Sequence, residues 1–176
     1  MTSHTLDRFD SSKELQDDCA FCRIVAGASP AYIVYEDEHN LAFLDILPLR
    51  PGHTLVIPKK HVQQLSHLDV ETAASLSNAL VQTTRAVGQA LGDESLQVIT
   101  NQIYAQLVPH VHFHVVPAAL RPSSNDKARK AASSNPLAAM GLGHGREELD
   151  DEEAEQLAAK IRRAAGQRKD TRNAKL

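Results

Sequence analysis

The stretch His110-Val111-His112-Phe113-His114-Val115-Val116, flanked by Pro109 and Pro117, decides the fold reading, because it holds three of the nine histidines in a chain of 176 residues. Side chains of an extended strand alternate between faces, so histidines at every second position share one face at intervals of roughly 6 to 7 Å. Val111, Phe113 and Val115 then face the other way. β-branched and aromatic residues favour a strand, and proline is tolerated at its ends, where a lost N–H costs least. The stretch therefore predicts a half-buried strand with one imidazole face and one apolar face. The plain readings of such a face are hydrogen-bonded histidines beside a core, or a transition-metal site. Burying three polar rings in register is costly unless a ligand or metal meets them, which puts a functional face ahead.

Outward from this strand the chain alternates short apolar runs with breaks. Leu96 to Thr100 forms a fourth strand, joined to the histidine strand by residues 101–108. Before it, Asp69 is an N-cap, and Ala73, Leu76, Ser77, Leu80, Thr84, Val87 and Leu91 keep helical spacing up to Gly92, as a long helix packed over a sheet would. Ala31 to Tyr35 and Leu41 to Leu44, joined by a polar turn, read as a hairpin; Pro48, Pro51 and Gly52 then break the chain before a third strand, His53 to Ile57. Phe21, Ile24 and Val25 give a short helical face that Gly27 and Pro30 stop. A last helix starts at Asp150, with Glu153 three residues on, Leu157 and Ile161 on one face, and acidic and basic ends that suit its dipole. The expectation is an α+β protein: a five-stranded, mostly antiparallel sheet with helices on one side. Residues 1–18 read as a disordered polar extension, 19–117 as the domain, 118–148 as a mobile loop, 149–166 as a C-terminal helix and 167–176 as a basic, solvated tail.

A net charge of −3 and 4% aromatic residues with no Trp give no electrostatic case for a general nucleic-acid or membrane binder. Any phosphate must be held locally. The chain has no apolar run of roughly 18 residues, and its first residues are too polar for a signal peptide, so an intracellular protein is expected, in the cytoplasm first, with the nucleus as a further option. Cys19 and Cys22 form a Cys-x-x-Cys, half a zinc site or a redox pair; two small buried hydrophobes in a first helical turn is the plain alternative.

The histidine stretch also resembles the motif of the histidine triad family, His-φ-His-φ-His-φ-φ with φ apolar, at every position. The strings CAFCRIVAG at 19–27, VYEDEHNLAFLDILP at 34–48 and PGHTLVIPKKH at 51–61 resemble the N-terminal half of histidine triad hydrolases in the same order. The resemblance spans about residues 19–117 and implies a HIT-like fold. It looks closest to the nucleoside phosphoramidases, small homodimers acting on purine nucleotides. It implies that His112 attacks the α-phosphorus to form a nucleotidyl-histidine, that His114 bonds the phosphate oxygens, and that His53 and His110 support them. Imidazole titrates near neutral pH, so such a nucleophile needs no metal, and a backbone carbonyl on its other nitrogen would fix the tautomer.

By the same resemblance, Asp45 binds the ribose hydroxyls, where its plain role would be a turn cap before Ile46. Phe21, Ile24, Phe43 and Ile46 sandwich the base, Leu44 and Leu55 line the same pocket, and Asn101 and Gln106 belong to the turn near the phosphate. For Phe21, Ile24, Phe43 and Ile46 a plain core role competes. Relatives with this cysteine pair hold a structural zinc, here on Cys19, Cys22, His61 and His110, away from the chemistry. The sequence departs from the family between Asn101 and Gln106, where a longer Gly-rich turn and a following hydroxyl residue are usual; here stand Gln102-Ile103-Tyr104-Ala105 and then Leu107. The Trp-containing C-terminal segment of the best-known phosphoramidases is also missing. Two alternatives stay open: a dinucleoside polyphosphate hydrolase, and a nucleotide-binding or scaffold protein with weak incidental activity. Removal of adenylate from DNA ends is disfavoured, because no DNA-binding zinc finger follows the triad.

Overall fold

Short apolar runs that alternate residue by residue can bury both faces of a sheet, and that is how the central strands are used. A computed structural model describes residues 15–118 and 149–167. The first fourteen residues of the expected extension, the loop from 119 to 148 and the tail from 168 lie outside the described residues. The elements are α1 (Ala20–Val25), β1 (Ile33–Glu36), β2 (Asn40–Leu44), β3 (Thr54–Pro58), α2 (Val70–Leu91), β4 (Leu96–Thr100), β5 (Phe113–Pro117) and α3 (Asp151–Ala164), with a short 3-10 turn at Leu65–His67. The five strands form one sheet in the order β1-β2-β3-β5-β4. All four pairings are antiparallel.

One face carries Val34, Ala42, Leu44, Val56 and Val115 against Leu76 and Val87 of α2 and Ala158 and Ile161 of α3. The intervening residues Ile33, Leu41, Phe43, Leu55 and Ile57 build a second cluster on the other face with Cys19, Phe21 and Cys22. Each fully buried aliphatic side chain contributes roughly 1.5 to 3 kcal/mol, so the α2 and α3 face is the larger source of stability. The long helix has the ends its sequence predicts. Asp69 accepts from the Thr72 N–H at 2.7 Å, and Gly92 caps the C-terminus at φ 71°. Asp150 accepts from the N–H groups of Glu152 and Glu153 at 3.0 and 3.1 Å and so starts α3.

Four features differ from the sequence reading. Helices pack on both faces, since α1 sits on the face opposite α2 and α3. Packing begins before Cys19: Leu15 lies against the second cluster, Gln16 is buried, and its carbonyl accepts from the Cys19 N–H. Leu44 belongs to the α2 face and is 1% exposed, so it cannot line a pocket on the histidine face; the strand's alternation turns it away from its neighbour Phe43. Finally, β5 begins at Phe113, not at His110. Its partner β4 runs out there, its last residue Thr100 pairing with Phe113, and although β3 continues to Pro58, the Pro58 carbonyl is engaged by the His110 ring at 2.8 Å. Val111 is still buried on the helix side, so the alternation of faces persists through the irregular segment.

Candidate active site and metal cluster

The triad histidines share the α1 face. Leu55 pairs with His114 across the sheet and fixes its side, and the rings of His112 and His114 lie 4.9 Å apart. Phe21 packs edge-on against His110 at 5.8 Å, His112 at 5.2 Å and Phe43 at 5.6 Å. Phe21, Phe43 and Leu55 are thus brought together with the histidines, with Ile24 packed beside them. Ile46 stands at the rim, 55% exposed.

Backbone groups assign the tautomers. His112 Nδ1 lies 2.6 Å from the carbonyl of His110, which only accepts, so Nδ1 carries the proton and Nε2 the lone pair. His112 is 5% exposed, and burial pushes its pKa below the ordinary histidine value against the opposing pull of that carbonyl. A neutral imidazole with a fixed lone pair results. The main chain of His112 is braced in turn, its carbonyl accepting from Thr100 Oγ1 at 2.8 Å.

His53 and His114 form a second pair, with His53 Nε2 3.0 Å from His114 Nδ1. The Leu49 N–H reaches His53 Nδ1 at 3.1 Å, while Asp45 Oδ2 lies 3.3 Å from the same nitrogen. Both cannot be served at once. The amide decides, because an N–H can only donate, whereas a carboxylate can accept from another donor. Nδ1 of His53 then accepts, its Nε2–H donates to His114, and His114 carries its own proton on Nε2. Asp45 Oδ1 meanwhile accepts from the Leu47 N–H at 2.9 Å, so the turn-cap role is present beside any other. Asp45, His53 and His114 could together offer three atoms to a metal, but the His53 nitrogens are engaged in this chain of hydrogen bonds.

The other cluster is Cys19, Cys22, His61 and His110, whose ligand atoms all lie within 4.8 Å of one another. His110 Nδ1 is 3.5 Å from Cys19 Sγ and 3.6 Å from Cys22 Sγ, and His61 Nδ1 is 3.3 Å from Cys22 Sγ. Tetrahedral zinc, with bonds of about 2.3 Å to sulfur and about 2.0 Å to nitrogen, sets such atoms roughly 3.5 Å apart. The tautomer fits as well. His110 Nε2 meets the Pro58 carbonyl, so it bears the proton and leaves the lone pair on Nδ1, toward the sulfurs. The hydrogen bond from Cys22, aided by the two imidazoles, pulls the Cys19 thiol far below its ordinary value, while Cys22 keeps the shared proton and is pushed up. A dication would replace that proton. The His110 ring therefore faces the cysteines, and its carbonyl faces His112.

Gln106 lies inside its turn. Its Nε2 donates to the Gln63 carbonyl at 2.7 Å and, at 3.4 Å, to the His110 carbonyl, while its Oε1 accepts from the Ile103 N–H at 3.0 Å. Asn101 is half-buried just beyond β4. Ile103 at φ 61° and Ala105 at φ 58° are left-handed without being glycine, so the turn has a glycine-type backbone without a glycine. Sequence reasoning missed Leu49, Pro58, Gln63 and Thr100. Three of these act through main-chain atoms that leave no residue-type signal.

A five-stranded antiparallel sheet that presents three histidines beside a Cys-Cys-His-His cluster defines a small α+β protein of the histidine triad kind. Residues 26–119 match the HIT domain, and the chain belongs to that family. Over 101 residues it is 41% identical to an adenosine 5'-monophosphoramidase of Schizosaccharomyces pombe, covering 56% of this chain and 73% of the relative. A histidine triad nucleotide-binding protein of Sulfolobus tokodaii superposes with a TM-score of 0.69 at 29% identity, over 84% of this chain and 92% of the other. A zinc-bound histidine triad protein of Mycobacterium smegmatis gives 0.63 at 34% identity, over 85% and 94%. Among the described residues, no helix is long and apolar enough to cross a membrane.

Proposed function

We propose that the chain hydrolyses nucleoside 5'-phosphoramidates through a nucleotidyl-His112 intermediate. The observation that carries this is the 2.6 Å hydrogen bond from His112 Nδ1 to the His110 carbonyl, which leaves a neutral Nε2 beside His114. In this reading the Nε2 lone pair attacks the α-phosphorus, the P–N bond to the leaving amine breaks, and the amine takes up a proton as it departs. Water then attacks phosphorus, the P–Nε2 bond breaks, a water proton is released, and nucleoside monophosphate leaves with the imidazole restored. The Nε2–H of His114 donates to the phosphate oxygens, where charge is spread in the transition state. Phe21, Phe43 and Leu55 hold the base, with Ile24 and Ile46 at its edge. Asp45, directly after β2 and beside His53, is the ribose contact in this reading, since a carboxylate can accept from both hydroxyls.

Cys19, Cys22, His61 and His110 hold zinc in this proposal, and the ion supplies folding energy and no step of the reaction. The protein works as a homodimer, consistent with an edge strand β4 that leaves Val98 43% exposed. The relative named as a phosphoramidase supports the substrate class. Adenosine 5'-phosphoramidate and diadenosine polyphosphates, compared at equal concentration, test it. Faster AMP release from the phosphoramidate is expected; faster cleavage of the polyphosphate would favour the sister activity. Nucleotide binding without release from either would favour a binding protein.

A further inference from the structure

We infer that His110 is a positioning residue that couples the cysteine cluster to the nucleophile, so that the state of Cys19 and Cys22 sets the tautomer of His112. This rests on the reading of His112 as nucleophile. The segment between Pro109 and His112 lies outside the β5 ladder, which begins only at Phe113. No regular ladder therefore aims the His110 carbonyl. It is held by two kinds of anchor: the N–H of the same peptide, that of Val111, donates at 2.7 Å to the carbonyl of Val62, the neighbour of the cluster residue His61, and the His110 ring, 0% exposed, is fixed at Nδ1 by the two sulfurs and at Nε2 by the Pro58 carbonyl. One residue thus has its ring in the cluster and its carbonyl on His112 Nδ1. A second donor to the same carbonyl, Gln106 Nε2, is longer at 3.4 Å and cannot substitute for the ring anchors. When the cluster opens, the His110 ring and His61 both lose their fixed side, the two anchors of that peptide loosen together, the carbonyl draws away from Nδ1, and the proton of His112 can move to Nε2, where it abolishes the lone pair.

Three measurements on the full chain test this with zinc as the probe: zinc per chain, the tautomer of His112 from its ring 15N shifts, and the rate of nucleotidyl adduct formation at saturating adenosine 5'-phosphoramidate. His110→Ala is expected to lose zinc, to give a mixed His112 tautomer and to slow adduct formation by about 10- to 100-fold, the usual cost of removing such a support. His110→Cys restores a metal ligand without an imidazole, and is expected to recover zinc, tautomer and rate to within a few-fold of wild type. A His110→Cys protein that binds zinc yet stays as slow as His110→Ala would overturn the inference, because the imidazole would then act directly. Cys22→Ser supplies the second arm. Loss of zinc with an unchanged His112 tautomer would reduce the cluster to a clamp on α1. If wild type forms no adduct at all, the nucleophile reading fails, while the zinc and tautomer measurements still decide the coupling.

Discussion

Ala105 sits at φ 58° in an exposed turn, and replacing it with glycine should stabilise the protein. An L-residue in the left-handed region costs about 1 to 2 kcal/mol, and glycine removes that cost. Glycine adds roughly 0.5 to 1 kcal/mol by freeing the unfolded chain. Ala105 is exposed and loses almost no burial, so the net gain is about 0.5 to 1 kcal/mol. For a chain of this size each kcal/mol moves the melting temperature by about 2 to 4 °C, so Ala105→Gly should raise it by about 1 to 4 °C. Ile103 shares the conformation at φ 61°, but it is 46% exposed and would lose part of its packing, so Ile103→Gly should gain less. The assay is thermal unfolding with a urea titration alongside, an unchanged urea slope serving to show that the surface exposed on unfolding is the same. A fall of about 1 to 4 °C, the ordinary effect of glycine at an exposed site, would refute the claim that this turn has a glycine-type backbone.

Cys22→Ser should remove one equivalent of zinc and lower the melting temperature; metal analysis showing unchanged zinc would end the metal assignment. Leu44→Ala should cost about 2 to 5 kcal/mol, because Leu44 is buried in the α2 face, yet leave nucleotide affinity at saturation of folded protein unaltered. A weakened nucleotide Kd at full folding would return Leu44 to the pocket. The pH dependence follows from the lowered pKa of His112. Its folded form resists protonation while the unfolded chain protonates near 6.5, so its contribution to stability is present above that value and is lost as pH falls toward the depressed one. Adduct formation should therefore stay level from pH 8 through 6.5 and fall only below; half-loss at 6.5 would show an unperturbed ring.

The fold was legible wherever a single period or a cap ruled the chain. Asp69 and Gly92 bound α2, and Leu96 to Thr100 is β4, because those signals lie within the elements they define. The face of each strand residue was less legible, since alternation says that Phe43 and Leu44 differ but not which of them meets α1. Where β5 starts was illegible for a related reason: pairing depends on how far its neighbours follow it, and β4 ends at Thr100, opposite Phe113. At the site, the residue types were readable and their partners were not. His110 is the instructive case, because one motif position meets a cluster through its ring and His112 through its carbonyl. The turn at 101–107 shows the reverse: the absence of glycine was plain in the sequence, but only the backbone reveals that Ile103 and Ala105 adopt the conformation glycine favours.

The central claim is that His112 Nε2 becomes covalently nucleotidylated. Intact mass after rapid acid quench of the wild-type protein and of His112→Asn, each mixed with adenosine 5'-phosphoramidate, tests it most directly. An adenylyl adduct on the wild type alone, decaying as AMP accumulates, is the predicted result. AMP release without any adduct, or an adduct that persists in His112→Asn, would contradict it.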